Sequence, residues 1–244
     1  MRIAVISDIH ANLYALEAVF AEIERDPPDE IWCLGDTVGY GPRPNECCAL
    51  VQERSSLVLV GNHDLVALGS ADVTVEDFNP EAAAASIWTS SELSPGSREF
   101  LSSLAPQAER EGAALFHGSP SDPVWDYVIT DLAAEEAFAL TQASLILVGH
   151  SHVPTALALA DDVVQGGVAS TGFEADLGPG RWLLNPGSVG QPRDGDARAA
   201  YLRLDLGLRQ ASFERVAYSV DRTQAEIRER GLPDALADRL ALGV

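Results

Sequence analysis

Short apolar runs rich in Val, Ile and Leu punctuate the chain, and they share one kind of ending. Residues 3–6 run into Ser7-Asp8-Ile9-His10, and residues 30–35 into Asp36. Residues 56–61 run into Asn62-His63-Asp64, residues 113–116 into His117, and residues 145–149 into His150-Ser151-His152. Runs of this length and composition read as buried strands. The polar groups then lie at strand carboxyl ends, where open α/β sheets bind ligands. All 5 histidines of the chain lie just past such a run. A histidine serving only the core has no reason to prefer that place, so together they predict one shared site.

Between the runs, spacing predicts helices. Leu13, Leu16, Phe20 and Ile23 recur at helical spacing, and Asp26-Pro27-Pro28 stops them. Residues 44–53 predict a second helix after the glycine-rich stretch Thr37-Val38-Gly39-Tyr40-Gly41-Pro42. The chain up to residue 61 therefore reads strand-helix-strand-helix-strand, the alternation of a parallel sheet. Residues 65–111 break this rhythm and predict a helical insertion. It holds an alanine-rich helix over 80–93, with Asn79 as N-cap and Pro80 first, and another from Ser94-Pro95 to residue 104. A further helix is expected over 132–141. Past His152 the pattern leans antiparallel: strands over 155–164 and 182–185, and a hairpin of 200–204 and 211–216 around Leu206-Gly207-Leu208. Helices over 221–230 and 233–242 close the chain. No repeat, linker or shift in composition divides 1–244, so one domain is expected, with a second sheet on the first.

Composition narrows the partners. A hydrophobic content of 46% in 244 residues supports a sizeable core. The net charge of -21, from 16 basic and 37 acidic residues, argues against nucleic acid as a bulk partner and against an anionic membrane surface. A phosphate substrate stays compatible, because bound divalent cations reverse the sign locally. Cys33, Cys47 and Cys48 show neither disulfide nor zinc spacing, which fits a reducing compartment. No apolar run approaches the ~18 residues of a spanning helix, and the N-terminus enters a strand at Arg2 without a leader pattern. A cytoplasmic protein is expected.

The strand-end groups are Asp8, His10, Asp36, Asn62, His63, His117, His150 and His152: carboxylates, an amide oxygen and imidazoles, with no thiolate. One divalent ion takes about four to six ligands, so this set predicts two ions sharing a bridging carboxylate. Two metals roughly 3.5–4 Å apart clamp the attacking and leaving oxygens of a phosphoryl displacement. Mixed oxygen and imidazole ligation suits manganese, iron, cobalt or zinc, with manganese favoured.

In their order along the chain, Asp8-x-His10, Gly35-Asp36, Gly61-Asn62-His63-Asp64, His117-Gly118 and Gly149-His150-Ser151-His152 resemble the motifs of calcineurin-like metallophosphoesterases. The resemblance spans residues 1 to about 193. Gly39-Tyr40-Gly41-Pro42, Asn185-Pro186-Gly187-Ser188 and Gln191-Pro192-Arg193-Asp194-Gly195 resemble the small bacterial and archaeal phosphodiesterase branch. The resemblance implies an α/β fold, a four-layer α-β-β-α sandwich of two mixed β-sheets flanked by helices. It implies one ion held by Asp8, His10, Asp36 and His152, and a second by Asp36, Asn62, His117 and His150. Asp36 would bridge them, and a hydroxide between the ions would attack phosphorus. His63 would be the general acid and not a ligand. Asn12, Tyr40, Asn185, Ser188 and Arg193 are candidate substrate contacts, Arg193 as a guanidinium fork to phosphate.

The pattern departs from the family in one place. In its Ser/Thr protein phosphatases the Gly-Asp pair is followed, after two residues, by an Asp-Arg pair that orients the catalytic histidine and grips phosphate. Gly39 and Tyr40 stand there in this chain. Small phosphomonoesters or diesters are therefore the expected partners, ahead of phosphoproteins. Asp64 is a substitute orienter only if its side chain reaches His63. The alternative class is a catalytically quiet, metal-ordered interaction scaffold, which loss of His63 or of ligands would mark; the full set is present. Selecting contacts are expected in loops 37–45, 65–80 and 170–181.

Overall fold

In chain order the elements begin β1 (Arg2–Ile6), α1 (Leu13–Ile23), β2 (Glu30–Cys33), α2 (Pro44–Arg54), β3 (Leu57–Val58) and α3 (Asn62–Leu68). Then come α4 (Pro80–Glu92), α5 (Pro95–Ser102), β4 (Gln107–Arg110), β5 (Ala113–Phe116), α6 (Asp131–Leu140) and β6 (Leu145–Leu147). The remainder is β7 (Thr155–Ala160), β8 (Val163–Val168), β9 (Glu174–Asp176), β10 (Arg181–Asn185), β11 (Ala199–Asp205), β12 (Gln210–Val216), α7 (Val220–Glu229) and α8 (Asp234–Asp238). This computed structural model describes every residue except Asp72 and Pro179, so those two positions of loops 65–80 and 170–181 lie outside the described residues.

The strands form two 6-stranded sheets, in the orders β3-β2-β1-β11-β12-β9 and β4-β5-β6-β10-β7-β8. Each is mixed. β1, β2 and β3 pair in parallel, as the βαβ alternation predicts, while β1 pairs β11 antiparallel. In the other sheet β5, β6 and β10 are parallel, and β4, β7 and β8 are added antiparallel.

Alternation of side chains explains the layers. Ile3 and Val5 point into the core between the sheets, with Leu115, Leu147, Leu184 and Leu202. Ala4 and Ile6 point the other way, against Leu16, Val19 and Phe20 of α1 and Val51 of α2. On the far side Ala114, Phe116 and Ile146 pack on Ala134, Ala137 and Phe138 of α6. Strands covered on both faces need apolar residues at every position, hence the uninterrupted runs. The result is the expected four-layer arrangement, helices outside two mixed sheets.

The structure corrects several boundaries. The strand expected over 155–164 is a hairpin, β7 and β8, turned at Asp161-Asp162 with both residues at positive φ (51° and 60°). Two adjacent left-handed residues make the two-residue turn that suits a hairpin's twist. The helical insertion over 65–111 ends in β4, which pairs with β5. The helix expected over 233–242 divides into α8 and a 3-10 turn, Arg239–Ala241. Among the described residues, no helix is long and apolar enough to cross a membrane.

Candidate metal centre

The chain leaves β1, β2, β3, β5 and β6 at one rim, and local hydrogen bonds keep these ends in register beyond the sheets. Asp8 N–H donates to Gly35 O, His10 N–H to Asp36 O and Ala11 N–H to Thr37 O, each at 3.0 Å. Gly149 N–H donates to His117 O at 2.9 Å, and Gly190 N–H to Asp8 O at 3.0 Å. Asp8, His10, Asp36, His150 and His152 all have φ between 50° and 62°. Non-glycine residues held there cost on the order of 1–3 kcal/mol each, and persist where surrounding contacts over-determine them. This backbone turns five side chains inward at one place. Gly61 is required for the same reason: a Cβ there would lie 2.1 Å from Asp36 Oδ1.

Two sets of ligand-capable atoms result, each within 4.8 Å of one another and all buried: Asp8, His10, Asp36 and His152, and Asp36, His117 and His150. They share Asp36. Its Oδ1 accepts from His63 N–H at 2.9 Å. Its Oδ2 has no hydrogen-bond partner and lies 3.6 Å from His10 Nε2 and 3.5 Å from His117 Nε2. Asp8 repeats the division: Oδ2 accepts from His150 N–H at 3.1 Å, while Oδ1 is unpartnered, 3.4 Å from His152 Nε2. Asn62 joins the second set through its Oδ1, 3.1 Å from His117 Nε2.

The imidazoles are oriented from behind. His10 Nδ1 faces Val38 O at 3.2 Å, His117 Nδ1 faces Leu34 O at 2.8 Å and His152 Nδ1 faces Gln191 O at 2.6 Å. A carbonyl only accepts, so each of these nitrogens carries the proton and each Nε2 turns inward. His150 is reversed, with Nε2 facing Trp125 O at 3.1 Å.

Burial first, and then Arg193, hold His152 well below the ordinary imidazole value; burial does the same to His10 despite Asp36. Both rings are thus neutral, and their inward Nε2 lone pairs meet at 3.1 Å. Facing lone pairs repel unless a cation lies between them. Asp8 is pushed up to about 7, by burial and then, against the pull of His117, by Asp36. Burial would also raise Asp36, but His117, His63 and His10 outweigh it and hold its carboxyl far down. Burial opposes protonation of His117, yet Asp36 lifts it to about 9. A metal ion in that place would displace the proton. Unpartnered carboxylate oxygens, convergent Nε2 atoms and fixed tautomers all fit divalent metal ions.

His63 lies outside both sets. Its buried ring is wedged against Tyr40, Phe78 and His10, at centroid distances of 4.3, 4.7 and 4.9 Å, and its Nδ1 has no partner. Burial pushes it down to about 4. A Cβ at Gly39 would lie 2.7 Å from His63 Nδ1, at φ 90°, so no side chain fits there. Asp64 does not orient His63. Its oxygens accept from Val38 N–H at 2.9 Å and Gly61 N–H at 3.0 Å, tying the β2 loop to the start of α3.

The candidate substrate contacts divide. Asn12 donates to Gly190 O and Tyr218 Oη, and accepts from Ala15 N–H and Thr223 Oγ1. Asn185 donates to Gly149 O and Ser151 Oγ and accepts from Gly187 N–H. Ser188 donates to Asp8 O and accepts from Gln191 N–H. These three read as substrate contacts from sequence, but protein partners take their polar atoms; they hold the loops that carry the ligand-capable side chains. Tyr40 and Arg193 do reach the site. Arg193 Nη2 donates to Gln191 Oε1 at 2.9 Å and approaches Tyr40 Oη at 3.5 Å, while its Nε is buried without a partner. Trp125 and Tyr127, beside His150, were not singled out by sequence; the one signal was a pair of aromatic residues in the polar loop after His117-Gly118.

Known proteins resemble this chain in sequence and fold. The calcineurin-like phosphoesterase superfamily domain matches residues 1–207. A metallophosphoesterase from Sphaerobacter thermophilus superposes with a TM-score of 0.89 at 40% identity, covering 100% of both chains. An uncharacterised protein of Methanocaldococcus jannaschii is 36% identical over 248 residues, 99% of this chain and 98% of its own. A symmetrical bis(5'-nucleosyl)-tetraphosphatase of Actinobacillus pleuropneumoniae is 26% identical over 143 residues, 57% of this chain and 52% of its own.

Proposed function

The chain belongs to the calcineurin-like phosphoesterase superfamily and is a metal-dependent phosphoester hydrolase, and we propose that it cleaves small phosphoesters at a dinuclear centre built on Asp36. Asp8, His10, Asp36 and His152 would hold one ion, and Asp36, Asn62, His117 and His150 the other. Manganese, iron, zinc or cobalt suits this mixed donor set, with manganese favoured. The observation that carries the reading is Asp36 Oδ2, unpartnered and some 3.5 Å from an inward Nε2 of each set. Bound there, two divalent cations supply charge neutralisation at the phosphoryl group and activation of the attacking water.

The chain's own residues do the rest. His63, outside both sets, is the general acid for the leaving oxygen; burial keeps its ring neutral in the free protein, so the negative phosphoryl group beside it must raise it for it to carry that proton. Arg193 presents its guanidinium to phosphoryl oxygens. The carbonyls of Leu34, Val38 and Gln191 hold three imidazoles in one tautomer. Residues 1–244 act as one unit, since β11 and β12 extend the sheet of β1, and Ile227, Leu236 and Leu240 pack with Tyr40.

Small esters rank ahead of phosphoproteins, because Gly39 and Tyr40 replace the phosphate-gripping pair and Gly39 has no room for a side chain. The partial likeness to a dinucleoside tetraphosphatase is in keeping with this. The test is turnover of an aryl phosphomonoester, an aryl phosphodiester and a phosphopeptide by manganese-loaded protein. A small ester is expected to be turned over best. A preference for the phosphopeptide, or no turnover with two ions bound, would overturn the reading.

A further inference from the structure

Part of the rim is apolar and has no place in the chemistry above. After His117-Gly118 the chain folds back, so that the Tyr127 ring lies on the His150 imidazole, centroids 3.9 Å apart and 23° from parallel. Imidazole covers one face of Tyr127, yet the residue is 44% exposed. That exposed surface lies away from the imidazole. Val128 is buried against the outer core of the second sheet, which leaves Tyr127 and Ile129 on the outer side. Trp125 packs near Phe78 at 5.3 Å, and Phe78 stands edge-on to His63. Aromatic rings therefore line the way from His63 to His150. The Arg193 guanidinium lies near the Tyr127 side chain as well as near Tyr40.

We propose, resting on the phosphoesterase reading, that Tyr127 is a stacking platform for the substrate. The organic group of the ester carries a planar aromatic ring, as a nucleoside does, and lies on the exposed face of Tyr127 while Arg193 meets the phosphate. A flat exposed ring, one ring thickness from a candidate ligand and beside a guanidinium, matches a molecule with a planar group a few bonds from an anion. An alkyl phosphate has nothing to lay on that face. A long acyl chain needs an enclosed groove, whereas Tyr127 and Ile129 form an open rim.

The test is calorimetric binding of AMP and of methyl phosphate, each as its phosphonate analogue with an uncleavable P–C bond, to manganese-loaded wild type, Tyr127→Phe and Tyr127→Leu. The readout is the ratio of the two dissociation constants, which cancels any general loss of phosphate affinity. Stacking on one ring predicts that wild type binds the AMP analogue about 5- to 150-fold tighter than the methyl phosphate analogue. Tyr127→Phe should keep the ratio, and Tyr127→Leu should bring it near one. A wild-type ratio near one, or a ratio that survives Tyr127→Leu, would overturn the platform. Hydrolysis separates the two readings. If nitrophenyl esters of thymidine phosphate and methyl phosphate are both left intact while the binding ratio holds, the catalytic reading fails and the platform stands. If both are cleaved and no ratio is seen, the platform alone fails.

Discussion

The two halves of the site share a carboxylate but differ in how they are enclosed. His10 and His152 lie behind Tyr40, each about 1% exposed. Tyr40 itself is packed in an apolar cluster with Ala82 and Ala85 of α4, Ile227 of α7, Leu236 of α8 and Leu240. Asn12, Gly190, Tyr218 and Thr223 lock this side further. The His150 side is closed by a loop that mostly bonds to itself: Gly118 N–H to Pro123 O, Ser119 N–H to Asp122 O, Ser119 Oγ to Asp126. His117 and His150 are as buried as the other pair, at 0% and 2%, so the halves differ not in burial but in what covers them, here the half-exposed Tyr127. Local opening is easiest where a covering segment is held mainly by its own bonds and its cover is exposed. One half is thus floored by packed core, and the other is covered by a loop held mainly to itself.

The sharpest way to break this contrast is Asp36→Asn, which weakens both halves together. Metal content should fall below one ion per chain, and kcat/KM should fall by on the order of 10³ or more. Elemental analysis and steady-state rates check both. One ion retained at full occupancy would mean that the halves are independent sites.

His63→Gln tests whether the group between the halves acts in chemistry and not in metal binding. Both ions should stay, and rates on esters with poor leaving groups should fall ~10²–10⁴-fold. Nitrophenyl esters, whose leaving group needs little protonation, should lose less. Equal losses on both esters, or a lost ion, would contradict the general-acid role.

A smaller effect separates the two sides directly. In a chelator titration the ion on the His150 side should leave first, with roughly 10- to 100-fold weaker retention than the other. His150→Gln should remove that first step and leave the second unchanged. Simultaneous release would mean that the loop makes no difference.

The smallest effect concerns the floor alone. Glu226 of α7 accepts from Arg43 Nε and Nη2, each at 2.7 Å, and from Tyr14 Oη. Arg43 first, against burial and with help from Tyr14, holds its carboxyl down to about 2 from the ordinary 4.5. A depressed folded value stabilises the fold fully above pH 4.5, and that contribution is lost as pH falls towards 2. Glu226→Gln should cost about 1 kcal/mol at neutral pH, seen by denaturant titration, and the difference from wild type should shrink on acidification. A difference that is constant with pH would mean that the charge of Glu226 has no part in holding the floor.

Much of this was legible because metal chemistry restricts residue types. Asp8, His10, Asp36, His117, His150 and His152 announce themselves by standing where apolar runs stop. The polar residues of the same loops do not. Asn12, Asn185 and Ser188 read like substrate contacts, but a short polar side chain serves a neighbouring backbone group as readily as a ligand, and sequence does not say which. The β7–β8 turn was hidden because Asp161-Asp162 lacks the glycine that usually marks a left-handed pair. Tyr127 was hidden because its role depends on a loop folding back over His150, a tertiary contact without periodicity.

The most direct measurement is a crystal structure grown with manganese, read by anomalous scattering. The account predicts two peaks per chain, roughly 3.5–4 Å apart, with Asp36 bridging them. One of them lies among Asp8, His10 and His152, and the other among Asn62, His117 and His150. A single peak at full manganese saturation, or two peaks that do not share Asp36, would contradict it.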